Sequence, residues 1–184
     1  LVIMFSGFAL IGWTINDYLI VDLAIVSLLI YLGFLFINFP FDLIFLGDAG
    51  AYFGGFLLSV LAIILPFRNP EISPWVSFLL CSYPIIETIF SIYRKIKRKG
   101  HHPSRPDGLH LHMLIYRDFS RKIAKTLNLE KFRNAITSMV LWVLPILSCI
   151  ICFFFYEQEV IIIISVVLIA LLYILIYRKV SLNL

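Results

Sequence analysis

Six apolar runs separated by short polar breaks constrain this chain more than any other feature. They are Leu1–Trp13, Leu19–Phe39, Ala49–Phe67, Trp75–Tyr93, Ala135–Tyr156 and Val160–Tyr177. A bilayer core needs roughly 17–25 apolar residues per helix, so the last five are long enough to cross and the first is short. Lipid offers no partner to an exposed backbone N–H or C=O, so runs of this length cross as helices. The fold expected is all-α: a polytopic membrane helix bundle of about six spans, the first truncated, with a cytoplasmic basic loop carrying an amphipathic helix. Composition excludes a soluble domain: 61% of residues are hydrophobic and only 14% charged, against about half and a quarter in soluble proteins.

The placement of charge orients the bundle. Twelve of the fifteen Lys and Arg residues lie between Arg94 and Arg133, two more are Arg178 and Lys179, and Arg68 stands apart. Basic loops stay in the cytoplasm. Alternation then puts the Pro40–Asp48 loop and the C-terminus on the same side, and Asn16-Asp17, Arg68–Ser73 and Glu157–Glu159 on the other. Residues 1–184 read as a single membrane domain with 94–134 as its cytoplasmic loop. The chain opens on Leu1 inside an apolar run with no basic leader, so it is expected to be the C-terminal part of a larger protein. Within the loop, Tyr116, Phe119, Ile123 and Leu127 recur at helical spacing, with Arg117, Arg121, Lys122 and Lys125 largely opposite. That pattern predicts an amphipathic helix on the inner leaflet. Cys81, Cys149 and Cys152 lie in apolar runs and read as small apolar residues.

Two polar strings interrupt the apolar chain: Phe45-Leu46-Gly47-Asp48-Ala49-Gly50 and Pro103-Ser104-Arg105-Pro106-Asp107-Gly108-Leu109-His110-Leu111-His112. Ionisable groups beside spans cost free energy, which marks them as candidate functional groups. Asp48 heads the third run between glycines. It suits either a helix N-cap or a hard carboxylate ligand for Mg²⁺. His110 and His112 are two apart, on one side of an extended segment, and suit phosphate oxygens; a zinc site lacks an obvious third ligand. Arg105 suits bidentate phosphate contact. Glu87 lies inside the fourth run behind Pro84, as either a structural partner for a basic loop residue or a member of the site.

Taken in order, Asn38-Phe39-Pro40, Ile44-Phe45-Leu46-Gly47-Asp48-Ala49-Gly50 and Arg105-Pro106-Asp107-x-x-His110-x-His112 resemble the polyprenyl-phosphate N-acetylhexosamine-1-phosphate transferases of glycosyltransferase family 4. The resemblance covers roughly Asn38 to Tyr116. It implies transfer of an N-acetyl-sugar 1-phosphate from a UDP-sugar to undecaprenyl phosphate, with release of UMP. That reaction opens synthesis of cell-envelope polysaccharides such as O-antigen, capsule or peptidoglycan. It implies Asp48 as the Mg²⁺-binding and catalytic carboxylate (Mn²⁺ being an alternative), Phe45 stacking on uracil with Gly47 lining that pocket, and His110 and His112 contacting phosphates. Arg105 and Asp107 fall with the substrate-binding set. The implied partners are the UDP-N-acetyl sugar, undecaprenyl phosphate and the bilayer of a bacterial inner membrane; no nucleic acid is expected, and a homodimer stays open. Met113 stands where many members carry a further histidine. The family's Asp-Asp and Asn-x-x-Asn-x-x-Asp-Gly motifs do not occur in these residues, so the 184-residue piece alone is expected to be inactive. The competing readings are an inactive relative serving as a membrane scaffold and a transporter subunit.

Overall fold

The computed structural model describes residues 1–97 and 108–182. Arg105, Asp107, His101 and His102 therefore lie outside the described residues. Helix α1 spans Val2–Thr14, α2 Tyr18–Asn38, α3 Gly47–Arg68, α4 Pro74–Leu80 and α5 Ser82–Lys97. After the loop come α6 (Leu111–Ile115), a π-type turn (Tyr116–Ser120), α7 (Arg121–Thr126), a 3₁₀ turn (Glu130–Phe132), α8 (Arg133–Phe155) and α9 (Glu159–Leu182). Helices α2, α3, α8 and α9 are each long and apolar enough to cross a bilayer. The expected all-helical bundle is present, and no strand occurs among the described residues.

The fourth run departs from a simple span. It is broken between α4 and α5, whose axes differ by 76°. Pro84 is the cause: it brings no N–H to the carbonyl of Leu80 and its ring crowds that carbonyl. Cys81 takes up the bend, with φ −94° and ψ 10°, and its N–H donates back to Ser77 and Leu79. Neither half is long enough to cross by itself.

The bundle is organised around α1, which packs on α2, α3, α4 and α8. Phe5, Phe8 and Ile11 are fully enclosed there with Leu61, Leu65 and Leu79. Large apolar side chains also cover the outside: Leu29, Ile30 and Phe36 on α2, Phe56, Ile63 and Phe67 on α3, and Leu168, Leu171 and Leu175 on α9 are all exposed. Several serines point inward and bond to nearby groups. Ser27 donates to Leu23 O, Ser165 to Ile161 O, and Ser82 pairs with Ser148 at 3.0 Å between α5 and α8. Apolar outside with small polar residues at helix contacts is the pattern that lipid as solvent favours.

Close approach depends on Gly54. A Cβ there would lie 2.5 Å from the Tyr31 hydroxyl oxygen and 2.8 Å from Leu1 Cδ1. That hydroxyl donates to Gly50 O at 2.6 Å, and the Tyr31 ring stacks on Phe5. Gly54→Val forces these groups apart and lowers stability by about 2 kcal/mol. Denaturant or thermal unfolding in detergent measures this, and an unchanged midpoint would show that α2 and α3 separate freely.

The loop helix runs from Leu111 to Thr126 through the π-type turn. Its buried face is Leu111, Leu114, Ile115, Ser120 and Ala124, whereas Tyr116, Phe119 and Leu127 are exposed. The stripe read from sequence is thus the outward one, and a second face docks on α8 and α9. The wide turn explains the difference. It sets the buried positions five apart at Ile115 and Ser120, so the docking face drifts off the 3.6-residue register. Arg133 braces this turn: its guanidinium lies 3.9 Å from the Tyr116 ring centre and donates to Tyr116 O, and Ser120 accepts from Thr137 at 2.8 Å.

Candidate active site

Asp48 is placed by the head of α3. Before it, Asn38 Oδ1 accepts the Ile44 N–H at 3.1 Å, holding the 39–46 loop closed. Gly47 adopts φ +68°, the left-handed region that glycine takes without strain. The Asp48 carboxylate is exposed in the first turn of α3. It makes no side-chain cap bond, since the cap position is Leu46 and no capping bond forms there. Phe45 is 96% exposed, an aromatic ring left open three residues before that carboxylate.

Aromatic contacts join this loop to the start of α8. Phe39 meets Trp142 at 5.2 Å and Phe41 meets Phe132 at 6.0 Å. Phe132 precedes Arg133, which reaches Tyr116, one turn beyond His112. The Phe45–Gly50 string and the described part of the second string, Gly108–His112, therefore lie at one end of the bundle. No hydrogen bond or ion pair joins Asp48 to either histidine among the described residues.

His110 caps α6 in extended conformation and His112 sits in its first turn. Their rings stack at 5.7 Å with planes 16° apart. His110 Nδ1 lies 2.9 Å from Glu87 Oε1, and the same oxygen accepts the Leu111 N–H at 3.2 Å. The Tyr173 hydroxyl donates to Glu87 Oε2 at 2.9 Å. Desolvation of the ring is the main force holding His112 below the ordinary histidine range; His110 adds to it and the Glu87 carboxylate opposes it. His112 also lines an open pocket of about 580 Å³ with Tyr116, Arg117, Arg133, Asn134 and Ser138. Two arginines and an imidazole around one pocket suit phosphate oxygens.

Glu87 is thus joined to the histidines, which the sequence left undecided between a structural and a site role. Tyr173, Arg133 and Asn134 were not singled out in the sequence. They lie in or beside long apolar stretches or a basic loop, and no spacing ties them to the histidines. Among the described residues no group of three or more His, Cys, Asp or Glu side chains converges to hold a metal ion.

A bundle of membrane-crossing helices with acidic, basic and imidazole groups gathered at one end defines a multi-pass membrane protein. Residues 1–66, which include Phe45, Gly47 and Asp48, match the family model described as "Glycosyl transferase family 4". The chain is similar to that family over those residues. It is 34% identical over 113 residues to the "Probable undecaprenyl-phosphate N-acetylglucosaminyl 1-phosphate transferase" of Bacillus subtilis (strain 168), covering 60% of this chain and 31% of that protein. It is 36% identical over 97 residues to the "Undecaprenyl-phosphate alpha-N-acetylglucosaminyl 1-phosphate transferase" of Haemophilus influenzae, covering 50% of this chain and 27% of that one. The Escherichia coli K12 protein of the same name is 33% identical over 75 residues, covering 40% and 20%. The chain thus spans less than a third of the length of these curated relatives. No solved structure matches it.

Proposed function

We propose that the protein carrying these residues transfers an N-acetylhexosamine 1-phosphate from a UDP-sugar to undecaprenyl phosphate at the cytoplasmic face of a bacterial inner membrane. The observation that carries this reading is the gathering of the Asp48 loop and the His110–His112 helix at one end of the bundle. The relatives' names supply the substrate class. In the reaction, an oxygen of the lipid phosphate attacks the sugar-linked phosphorus. A new P–O bond forms, the bond bridging the two phosphates of the UDP-sugar breaks, and UMP leaves with the electron pair.

Phosphoryl transfer needs positioning and charge neutralisation more than covalent chemistry. Phe45 offers its exposed ring to uracil, with Gly47 leaving room beside it. His112, Arg117 and Arg133 line a pocket of phosphate-binding character, and Asn134 adds an amide. Arg105 and Asp107 belong to the same proposed set by their place in the motif. The 660 Å³ cavity between α1, α3 and α5, lined by Met4, Gly55, Leu58 and Ile89 among others, is apolar enough for a lipid chain.

Asp48 is the residue that would hold Mg²⁺. A single unpartnered carboxylate fits this ion, which binds through one or two carboxylates and completes its shell with water and substrate phosphates. Bound there, Mg²⁺ would neutralise phosphate charge. Residues 94–134 form the cytoplasmic loop of one membrane domain in this reading, and the product enters cell-envelope polysaccharide synthesis.

The test uses the complete chain in detergent with undecaprenyl phosphate, Mg²⁺ and either UDP-N-acetylglucosamine or UDP-N-acetylgalactosamine. The expected result is UMP in equal amount to a lipid-pyrophosphate sugar, with one donor preferred. Absence of UMP release with both donors overturns the proposal.

A further inference from the structure

Among the described residues Glu87 is the one carboxylate that the helix of a span carries into the neighbourhood of the histidines, and every oxygen of it is used. Its side chain is 14% exposed. The partners come from two separate elements: His110 and Leu111 at the start of α6, and Tyr173 on α9. Burying a carboxylate carries a desolvation cost that a purely apolar contact between α5 and α9 would avoid. Tying α6 to α5 needs only an acceptor for the Leu111 N–H. A carboxylate does something further: being acceptor-only, it requires that the hydrogen between it and His110 reside on Nδ1.

We propose that Glu87 is a positioning residue that fixes His110 as its Nδ1–H form, with Tyr173 holding the carboxylate in place. This rests on the transferase reading above. Any contact His110 makes with a substrate phosphate then runs through Nε2. Stacking on His112 sets the plane of the ring, so rotation about the Cβ–Cγ bond would cost both the Glu87 bond and the stacking. A carboxylate behind an imidazole is a recurrent way to set tautomer and orientation. Here the two side chains are twenty-three residues apart, and the bend at Cys81 sets the direction of the helix that delivers Glu87.

The test combines kinetics with a spectroscopic readout on the complete chain. In the unsubstituted protein, ¹⁵N spectra of the histidine side chains place the His110 hydrogen on Nδ1. Glu87→Leu removes both acceptor oxygens, and the Nδ1–H preference disappears. In the same variant kcat falls about 10–100-fold with KM for the UDP-sugar little changed. Glu87→Gln, which keeps an acceptor oxygen, recovers most of that loss. Ser82→Ala, which breaks a buried hydrogen bond elsewhere between α5 and α8, lowers the unfolding midpoint without touching the tautomer. An Nε2–H tautomer in the unsubstituted protein overturns the proposal even where Glu87→Leu fails to fold. So does a Glu87→Leu variant that keeps both the tautomer and kcat. Should the complete chain release no UMP, the transferase reading falls, while the nitrogen spectra still decide the placement of His110.

Discussion

Asp48→Asn lowers sugar-phosphate transfer about a thousandfold, the size seen when one preorganised charge-stabilising group is lost, and leaves the unfolding midpoint nearly unchanged. The two halves of this expectation come from the same facts. The carboxylate is exposed and makes no capping bond at the head of α3. Its structural contribution is limited to a charge near a helix N-terminus, about 0.3–1 kcal/mol. Asn keeps the size and removes the charge that would meet Mg²⁺ and phosphate. The measurements are UMP release under saturating substrate and thermal unfolding of the same preparations. Activity falling only as far as the folded fraction would return Asp48 to the role of a helix-terminal charge. A transporter would lose little flux from this substitution, so the same variant separates that reading from the transferase.

The spans were legible because lipid makes the code simple. Long apolar runs with polar breaks yield α2, α3, α8 and α9 to within a few residues, and the short first run yields α1. The broken fourth span was half legible: Pro84 forecasts a disturbance, but a 76° break depends on how α4 and α5 each pack on the other helices. Helix α4 settles on α3, α8 and α9, whereas α5 leans on α8 and α9. The loop helix was legible as a helix with an outward apolar stripe; the second face, which docks on α8 and α9, was not. A 3.6-residue period assumes an unbroken α-helix, and the π-type turn at Tyr116–Ser120 shifts the phase. That turn is held by Arg133 and Thr137, residues of another element.

The site divides along the same line. Asp48, His110 and His112 stand out because polar residues are rare in such a chain and their local strings are distinctive. The bond of Glu87 to His110 and that of Tyr173 to Glu87 span sequence separations of 23 and 86 residues. No local pattern encodes such a pairing; it exists once α5, α6 and α9 share one core around Leu114, Leu144 and Tyr177. Glu87 could be flagged only as an ionisable group out of place. Tyr173 is one aromatic in an apolar helix, with nothing in its neighbourhood to distinguish it.

Asp17→Ala destabilises the bundle by about 3 kcal/mol, summing a lost helix cap with lost hydrogen bonds to a charged acceptor. Asp17 is only 7% exposed, at the end of the bundle opposite the candidate site. It caps α2 by accepting the Leu19 and Ile20 N–H groups at 3.2 and 3.4 Å. It also accepts from Arg68 Nε at 2.8 Å and from Asn69 Nδ2 at 2.9 Å, fastening the end of α3 to the start of α2. The Arg68 hydrogen bond is the chief reason its carboxyl sits below the usual carboxylate range; Asn69 and the Ile20 N–H assist, and desolvation opposes them. A depressed carboxylate pKa means the stabilisation is complete above the ordinary value near 4 and drains away as pH falls through the lowered folded value. The unfolding midpoint of the unsubstituted protein therefore drops in acid below about pH 4, and Asp17→Ala, already without the clamp, loses that part of the slope. Equal acid slopes in the two proteins would place the acid sensitivity elsewhere. Because the clamp is remote from Asp48 and the histidines, the folded fraction of Asp17→Ala keeps its full turnover.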